Sequence, residues 1–247
     1  MDLGLAGRTA IVCGASAGIG LGCAEALAAE GANLSLLARR RDELERQAER
    51  LGALAVRGDV TNAKHLQRLV DQTLEAFGGI DIVVLNSGGP PRTGALDVTD
   101  HQVEETVELL LLSAIRLVRL CRPHLESSGR GRVIAITSST VKEPVDNLAL
   151  SNAIRPGLVG WLKTAARELA PAGVTVNAIA PGRIDTERLK DVYPDGPTAA
   201  DLAAIPLGRL GAAREVGDVV CFLASEQASY VTGATIAVDG GLTRSLL

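Results

Sequence analysis

Short apolar runs alternate with longer amphipathic stretches along nearly the whole chain. Several of these runs are apolar at every position, which is typical of strands that are covered on both faces. The predicted strands are Thr9–Cys13, Asn33–Leu37, Ala53–Arg57, Ile82–Leu85, Arg132–Thr137, Thr175–Ile179 and Thr235–Val238. The predicted helices are Ile19–Glu30, Arg41–Leu51, Ala63–Phe77, His101–Leu125 as one helix or two, Ser151–Leu169 and Glu215–Ala224. This alternation predicts an α/β fold, with helices on both faces of a doubly wound parallel sheet of seven strands.

The alternation fills residues 1–247 without a linker or a change of composition, so we expect a single domain. It fails only between Asp185 and Arg209, where Tyr193-Pro194-Asp195-Gly196-Pro197 is rich in turn-forming residues. This connection follows the carboxyl end of a predicted strand, where ligands bind in such sheets. We therefore expect a substrate lid around residues 187–205; the alternative is a plain surface excursion.

Composition and charge narrow the functional classes. The 247 residues are 47% hydrophobic and only 2% aromatic, so a large aliphatic core is available and a base-stacking surface for single-stranded nucleic acid is not expected. The net charge of −4 gives no basic excess for nucleic acid or an anionic membrane. The four cysteines are scattered without a metal-ligand spacing, so we expect reduced thiols and no metal. We expect a cytoplasmic protein with a small-molecule partner, because no signal peptide or membrane span is recognisable.

The strongest local signal is a glycine-rich turn between the first predicted strand and the first predicted helix. It reads Cys13-Gly14-Ala15-Ser16-Ala17-Gly18-Ile19-Gly20. Its glycines permit a tight turn, close approach of a pyrophosphate to the backbone, and close packing of helix on strand. The helix N-terminus offers unpaired N–H groups to the phosphates. The predicted dinucleotide contacts here are Gly14, Ser16, Ala17, Gly18, Ile19 and Gly20.

The spacing Gly-x3-Gly-x-Gly resembles the short-chain dehydrogenase/reductase family, and further matches follow in order along the chain. They are Asp59-Val60, Asn86-Ser87-Gly88-Gly89, Pro181-Gly182-Arg183-Ile184-Asp185-Thr186, Tyr230-Val231-Thr232-Gly233 and Val238-Asp239-Gly240-Gly241. The resemblance is greatest to the 3-oxoacyl-(acyl carrier protein) reductase type. It implies a Rossmann-type, NAD(P)-dependent oxidoreductase that acts on a carbonyl or alcohol and assembles as a homotetramer or dimer. It also implies cofactor contacts from Asp59, Val60, Asn86, Ser87, Gly88, Pro181, Gly182, Ile184 and Thr186.

The end of the second predicted strand bears on the choice of cofactor. An acidic residue there would accept hydrogen bonds from a ribose 2′-hydroxyl and repel a 2′-phosphate. The chain instead has Arg39 and Arg40, with no carboxylate before Asp42. Guanidinium groups suit a phosphate, so NADP(H) is favoured over NAD(H). The alternative is a solvated helix start.

The catalytic positions depart from the pattern that the resemblance implies. The family uses Ser, Tyr, Lys and often Asn, with Tyr as the proton donor. Ser138 matches the family's Ser, but Ser151 stands at the Tyr position and Arg155 at the Lys position. Leu110 aligns with the Asn. Arg155 keeps the positive charge and can still bind ribose hydroxyls, whereas a serine hydroxyl is a far weaker acid than a phenol.

Three hypotheses follow from this departure. In the first, the protein still reduces a carbonyl, with Ser138, Ser151, a water or a lid residue such as Tyr193 in the proton path. In the second, it binds the dinucleotide without hydride transfer, as a sensor or subunit. In the third, it uses the bound cofactor for other chemistry. Near the lid, Arg183, Arg188 and Lys190 either attract an anionic substrate or are solvated.

Overall fold

The computed structural model describes residues 2–193 and 195–246, and it confirms the predicted alternation of strands and helices. The strands are β1 (Thr9–Cys13), β2 (Asn33–Ala38), β3 (Leu54–Arg57), β4 (Ile82–Leu85), β5 (Arg132–Ile136), β6 (Thr175–Pro181), β7 (Ile184–Asp185), β8 (Gly211–Ala212) and β9 (Thr235–Val238). The α-helices are α1 (Gly18–Ala29), α2 (Arg41–Leu51), α3 (Ala63–Phe77), α4 (Asp100–Val107), α5 (Ser113–Ser128), α6 (Ala149–Leu169), α7 (Glu187–Val192), α8 (Ala199–Ala203) and α9 (Ala213–Ala224). Within these two ranges, no helix is both long and apolar enough to cross a membrane.

The main sheet has the predicted doubly wound topology. Across the described residues its order is β3-β2-β1-β4-β5-β6-β9, and all neighbouring strands pair in parallel. The chain winds outward from β1 to β3 and then returns past β1 to β4. The connections after β1 and β4 therefore leave in opposite directions, which opens a crevice at the carboxyl ends of these two strands.

Both faces of the sheet are apolar because successive strand residues face opposite helix layers. In β1, Ala10 and Val12 belong to the buried cluster that includes residues of α1, α2 and α9. Ile11 and Cys13 belong to the cluster that includes residues of α3, α5 and α6. Helices α1 and α9 cross closely, since a Cβ on Gly217 would lie 2.4 Å from the carbonyl oxygen of another helix glycine, Gly22.

The helical stretch predicted over 101–125 forms two helices rather than one. One turn of π-helix over Glu108–Leu112 joins α4 to α5. Leu110 in this turn is buried, and the Ser113 hydroxyl donates to the carbonyl oxygen of Leu109 at 2.5 Å. The extra residue of the π-turn changes the direction in which side chains project before and after it.

The long connection after β6 is more regular than the sequence suggests. Residues 187–205 contain the short helices α7 and α8, although Pro194 within this predicted lid lies outside the described residues. Strands β7 and β8 pair in parallel on either side of it. The segment therefore leaves and re-enters the domain at one point.

Two buried arginines close the opposite end of the sheet. Arg8 is fully buried and donates to the carbonyl oxygens of Ala224 at 2.7 Å and Arg130 at 2.5 Å. Arg132 is also buried, and Glu226 lies 3.8 Å from Arg8 and 3.7 Å from Arg132. Burial lowers the pKa of Arg8 to about 10, although the Asp81 charge opposes this change. The pair ties the end of α9 to the base of the sheet, far from the crevice.

Candidate active site

A cleft of about 690 Å³ opens at the crevice between the ends of β1 and β4. The turns that follow β1, β2, β3 and β4 form its walls, and the start of α7 contributes to its rim. The sequence-predicted residues that line it are Gly14, Ser16, Ala17, Gly18, Ile19, Arg39, Arg40, Asp59, Val60, Asn86, Ser87, Gly88 and Thr186. The cleft extends from the glycine turn after β1 to the turn after β4.

The glycine turn leaves room for a phosphate. Gly14 and Gly18 have φ of 62° and 57°, a backbone conformation that side chains with a Cβ disfavour. A Cβ on Gly20 would lie 2.3 Å from the carbonyl oxygen of Gly14, so this glycine lets α1 approach β1 closely. No side chain caps the N-terminus of α1 at Ala17, and its first turn carries no acidic residue. The uncapped N–H groups fit the pyrophosphate of a dinucleotide.

Two arginines and two carboxylates lie at the far end of this cleft. Arg39, whose side chain is exposed, lies 3.9 Å from the Asp59 carboxylate. Arg40 forms an ion pair at 3.1 Å with Glu187 at the start of α7. Asp59 also accepts hydrogen bonds from the backbone and hydroxyl of Thr61, at 3.0 and 2.9 Å. Both guanidinium groups are thus positioned at the end of β2, where a ribose 2′-substituent would lie.

A second cavity of about 780 Å³ continues from the first. The two share lining residues, among them Ile19, Asn86, Ser87 and Thr186. The side-chain amide of Asn86 donates to the carbonyl oxygen of Cys13 at 3.1 Å, which fixes the junction. The predicted residues that line the second cavity are Ser138, Ser151, Arg155, Pro181, Gly182 and Ile184. Of the predicted residues, Gly20 alone lines neither cavity and acts instead in packing.

Three hydroxyl groups connect the end of β5 to α6. The Ser138 hydroxyl oxygen accepts a hydrogen bond from the backbone N–H of Thr140 at 3.3 Å. The buried Thr140 hydroxyl lies 3.0 Å from the buried hydroxyl of Ser151. Sequence reasoning missed Thr140, because a threonine four residues after a strand is too common to be a signal. The contact fixes the Ser151 hydroxyl against Thr140, in the wall of the cavity that Ser138 also lines.

Arg155 follows Ser151 by one helical turn and lies on the same face of α6. Its guanidinium is buried and donates to the carbonyl oxygen of Ile136 at 3.3 Å, while its Nε has no hydrogen-bond partner. Burial lowers the pKa of Arg155 to about 10, and the nearby Arg188 charge adds to this effect. Among the described residues, no carboxylate forms an ion pair with it. The site thus holds a buried positive charge that no carboxylate of the described residues neutralises.

The position that aligns with the family's Asn does not supply a polar side chain. Leu110 is buried and lines a void of about 20 Å³ between α5 and α6, together with Asn86, Ser113 and Arg155. A space of this size holds about one water molecule. An apolar side chain here provides no hydrogen bond to Arg155.

Arg188 of α7 connects the predicted lid to the turn after β4. Its guanidinium donates to the carbonyl oxygens of Gly89 and Pro90, both at 3.0 Å. A Cβ on Gly89 would lie 2.2 Å from a guanidinium nitrogen of Arg188, so a side chain at position 89 would displace the guanidinium from its present position. Of the three basic residues noted near the lid, Arg183 and Arg188 line the larger cavity, and the Lys190 side chain lies outside the described residues.

Tyr193 is the phenol that the described part of the lid brings to the larger cavity. Partial burial raises the pKa of this phenol, and a hydrogen bond to the Asp201 carboxylate acts in the same direction. The Arg183 guanidinium lies 5.9 Å from the centre of the ring and donates to the backbone carbonyl of Asp201 at 2.6 Å. A phenol with a raised pKa is a poorer proton donor at neutral pH.

Comparisons with known proteins agree with this geometry. A family model described as enoyl-(acyl carrier protein) reductase matches residues 14–243. The chain is 35% identical over 238 residues to the 3-oxoacyl-[acyl-carrier-protein] reductase of Escherichia coli, covering 96% of this chain and 97% of that protein. It is 34% identical to dehydrogenase/reductase SDR family member 4 of Oryctolagus cuniculus, covering 96% and 94% of the two chains. The crystal structure of L-sorbose reductase from Gluconobacter frateurii, complexed with NADPH and L-sorbose, superposes with a TM-score of 0.93 at 31% identity over the full length of both chains.

Proposed function

The chain belongs to the short-chain dehydrogenase/reductase family of oxidoreductases, and we propose that it uses NADP(H) to reduce a carbonyl compound or to oxidise the matching alcohol. The observation that carries this proposal is the continuity of the two cavities from the glycine turn to Ser138 and Arg155. A dinucleotide whose phosphates lie on α1 would place its reactive ring at the junction, beside these side chains. The names of the relatives from E. coli and G. frateurii support a carbonyl group in the substrate. A 3-oxoacyl thioester is therefore the first candidate.

The preference for NADP(H) rests on the charges at the end of β2. Arg39 and Arg40 line the cleft there, and the strand ends without the carboxylate that would repel a 2′-phosphate. Their carboxylate partners, Asp59 and Glu187, hold the two guanidinium groups at the cleft wall. The NADPH in the L-sorbose reductase structure supports the same choice.

The residues of the second cavity suit stabilisation of a developing negative charge. When bound, the cofactor supplies or accepts the hydride. Ser138 accepts from the Thr140 N–H, which leaves its own O–H free to donate to the substrate oxygen. The buried charge of Arg155 stabilises negative charge on that oxygen without any proton transfer. The proton then comes from water rather than from a phenol, because the Ser151 hydroxyl is a weak acid and the Tyr193 phenol is bonded to Asp201.

The remaining features of the proposal follow from the architecture. Residues 187–205 act as a lid that Arg188 holds against the turn after β4. The chain acts as a single domain in the cytoplasm and assembles as a homo-oligomer, as the family resemblance implies. Its partner is a small molecule with a carbonyl or hydroxyl group.

A reductase assay tests this function directly. Purified protein is mixed with NADPH or NADH and a panel of ketones, 3-oxoacyl thioesters and quinones, and absorbance of the reduced nicotinamide is followed. The Ser138→Ala variant and the Ser151→Tyr/Arg155→Lys double variant are measured alongside. Turnover by the wild-type protein that falls in Ser138→Ala supports the proposal. Turnover by the double variant alone would show that the natural chain is a dinucleotide-binding module without hydride transfer, and the proposal would be wrong.

A further inference from the structure

The segment between β5 and α6 forms a large part of the second cavity wall. We call residues 143–148 the substrate loop. Its lining residues are Glu143, Pro144, Val145, Asp146 and Leu148. Helix α6 begins directly after this loop and presents Ser151 and Arg155 to the same cavity. The position of the loop therefore sets the space that remains for a substrate beside Ser138, Ser151 and Arg155, which we call the reaction centre.

Asn152 holds the middle of this loop through both ends of its side-chain amide. Its Nδ2 donates to the carbonyl oxygen of Val145 at 2.9 Å, and its Oδ1 accepts from the Val145 N–H at 3.1 Å. The amide thereby satisfies the N–H and the C=O of one residue together, as a neighbouring strand would. Asn152 immediately follows Ser151 in α6, so one helical turn carries both the reaction-centre hydroxyl and the support of the loop.

The end of the substrate loop is held separately by backbone contacts. The Thr93 N–H donates to the carbonyl oxygen of Asn147 at 3.0 Å, and the Ala149 N–H donates to the carbonyl oxygen of Thr93 at 3.2 Å. Asn147 has a φ of 58°, which reverses the chain at this point. At the start of the loop, the Glu143 carboxylate accepts from the Arg244 N–H. Val145 lies between these two attachments, and Asn152 supplies the side-chain hydrogen bonds that fix it.

We propose that Asn152 is a positioning residue that fixes the substrate loop and so sets which carbonyl compounds the cavity accepts. This inference rests on the proposed function, because it assigns a role in substrate binding. Without the amide, the Val145 N–H loses its partner and the Val145 carbonyl keeps only the hydrogen bond from the Leu148 N–H at 3.2 Å, while the two ends of the loop stay attached. The wall that faces the substrate then moves, whereas the glycine turn and the dinucleotide cleft keep their contacts. Asn152 thus acts on substrate affinity and selectivity, and not on the cofactor.

Two variants separate the halves of this contact. Asn152→Ala removes both hydrogen bonds. Asn152→Asp keeps an acceptor for the Val145 N–H and loses the donor to the Val145 carbonyl. The matched control is Asn33→Ala, because Asn33 donates its amide to the carbonyl oxygen of Gly7 at 3.2 Å at the amino-terminal end of β2, away from both cavities.

Amide hydrogen exchange tests the contact without any assay of activity. We expect the Val145 amide to be protected in the wild type, in Asn33→Ala and in Asn152→Asp. In Asn152→Ala its exchange is about tenfold faster, as the loss of one net hydrogen bond predicts. Equal exchange in the wild type and Asn152→Ala would show that the contact does not hold the loop, and the proposal would be wrong.

Kinetics and cofactor binding test the positioning role. Asn152→Ala should raise KM for the best carbonyl substrate by about tenfold and Asn152→Asp by less, with a smaller change in kcat and an unchanged Kd for NADPH in both. An unchanged KM, or an equal loss of NADPH affinity, would overturn the positioning role. Absence of turnover in the wild type on every substrate would instead overturn the proposed function, and hydrogen exchange would still decide whether Asn152 fixes the loop.

Discussion

Replacing Arg155 with lysine makes the reaction centre sensitive to pH. Arg155 is buried on α6, and burial lowers its pKa from an ordinary value of 12.5 to about 10. The guanidinium therefore keeps its charge throughout the neutral range. A lysine begins from a pKa of about 10.4, and the same burial would bring it to about 8. The Arg155→Lys variant should lose its positive charge within the range of an ordinary assay.

The size of the effect follows from the change in pKa. Each pKa unit corresponds to about 1.4 kcal/mol, so burial of this charge costs about 3 kcal/mol. Below about pH 8 the lysine is charged in both the folded and the unfolded protein, and the full cost is present. Above that pH the folded protein releases its proton first, while the unfolded chain retains it up to about pH 10.4. The variant should therefore gain up to about 3 kcal/mol of stability relative to wild type as the pH rises through this window.

Activity should move in the opposite direction. If the charge stabilises the developing oxyanion, the ratio of kcat/KM for Arg155→Lys to that for the wild type falls as the pH rises through about 8. Taking the ratio removes the pH dependence that both proteins share. The control is Arg167→Lys, an exposed position further along the same helix. The prediction is wrong if the kcat/KM ratio stays constant from about pH 6.5 to 9.5 and the difference in unfolding free energy between variant and wild type also stays constant. Such a result would show that burial does not lower the pKa of a lysine at position 155.

The other predictions concern the dinucleotide cleft and the base of the sheet. Arg39→Ala combined with Arg40→Ala should raise the Kd of NADPH about tenfold, measured by fluorescence titration, and leave that of NADH nearly unchanged. Gly20→Ala places a Cβ about 2.3 Å from the carbonyl oxygen of Gly14, so NADPH binding should weaken at least about tenfold while circular dichroism shows the fold retained. Arg8→Leu leaves the buried carbonyl oxygens of Ala224 and Arg130 without the hydrogen bonds that Arg8 donates to them. The free energy of unfolding in urea should therefore fall by about 3 kcal/mol.

The order of strands and the dinucleotide cleft could be predicted because local patterns determine them. Continuous apolar runs specify strands that are covered on both faces, and the glycines of the turn after β1 specify one backbone geometry. The boundaries were less certain, since β6 extends to Pro181 and the helix predicted to start at Ser151 starts at Ala149. These residues gain hydrogen bonds from neighbouring elements, which a local pattern does not contain.

The supports of the second cavity could not be predicted in the same way. The side chain of Thr140, in the short helical turn after β5, contacts the hydroxyl of Ser151. The side chain of Asn152, near the start of α6, binds the backbone of Val145 in the preceding loop. Arg188 donates to the carbonyl oxygen of Gly89, which lies 99 residues earlier in the chain. Each contact depends on how loops fold over the sheet. The sequence contains serines, threonines, asparagines and arginines at many such positions, so residue type alone does not identify these.

The departures at Ser151, Arg155 and Leu110 are consistent with one change of chemistry. A lysine beside a tyrosine lowers the pKa of the phenol, and that role disappears when serine replaces the tyrosine. Arginine then suits the position better, because it stays charged when buried and so stabilises an oxyanion at any neutral pH. A polar side chain at position 110 would face Arg155, which does not exchange protons near neutral pH. The chain has a buried leucine, Leu110, at this position. An open glycine turn is required by any function that binds the dinucleotide, so the buried charge of Arg155 in the cavity that Ser138 and Ser151 also line is the feature that favours hydride transfer over binding alone.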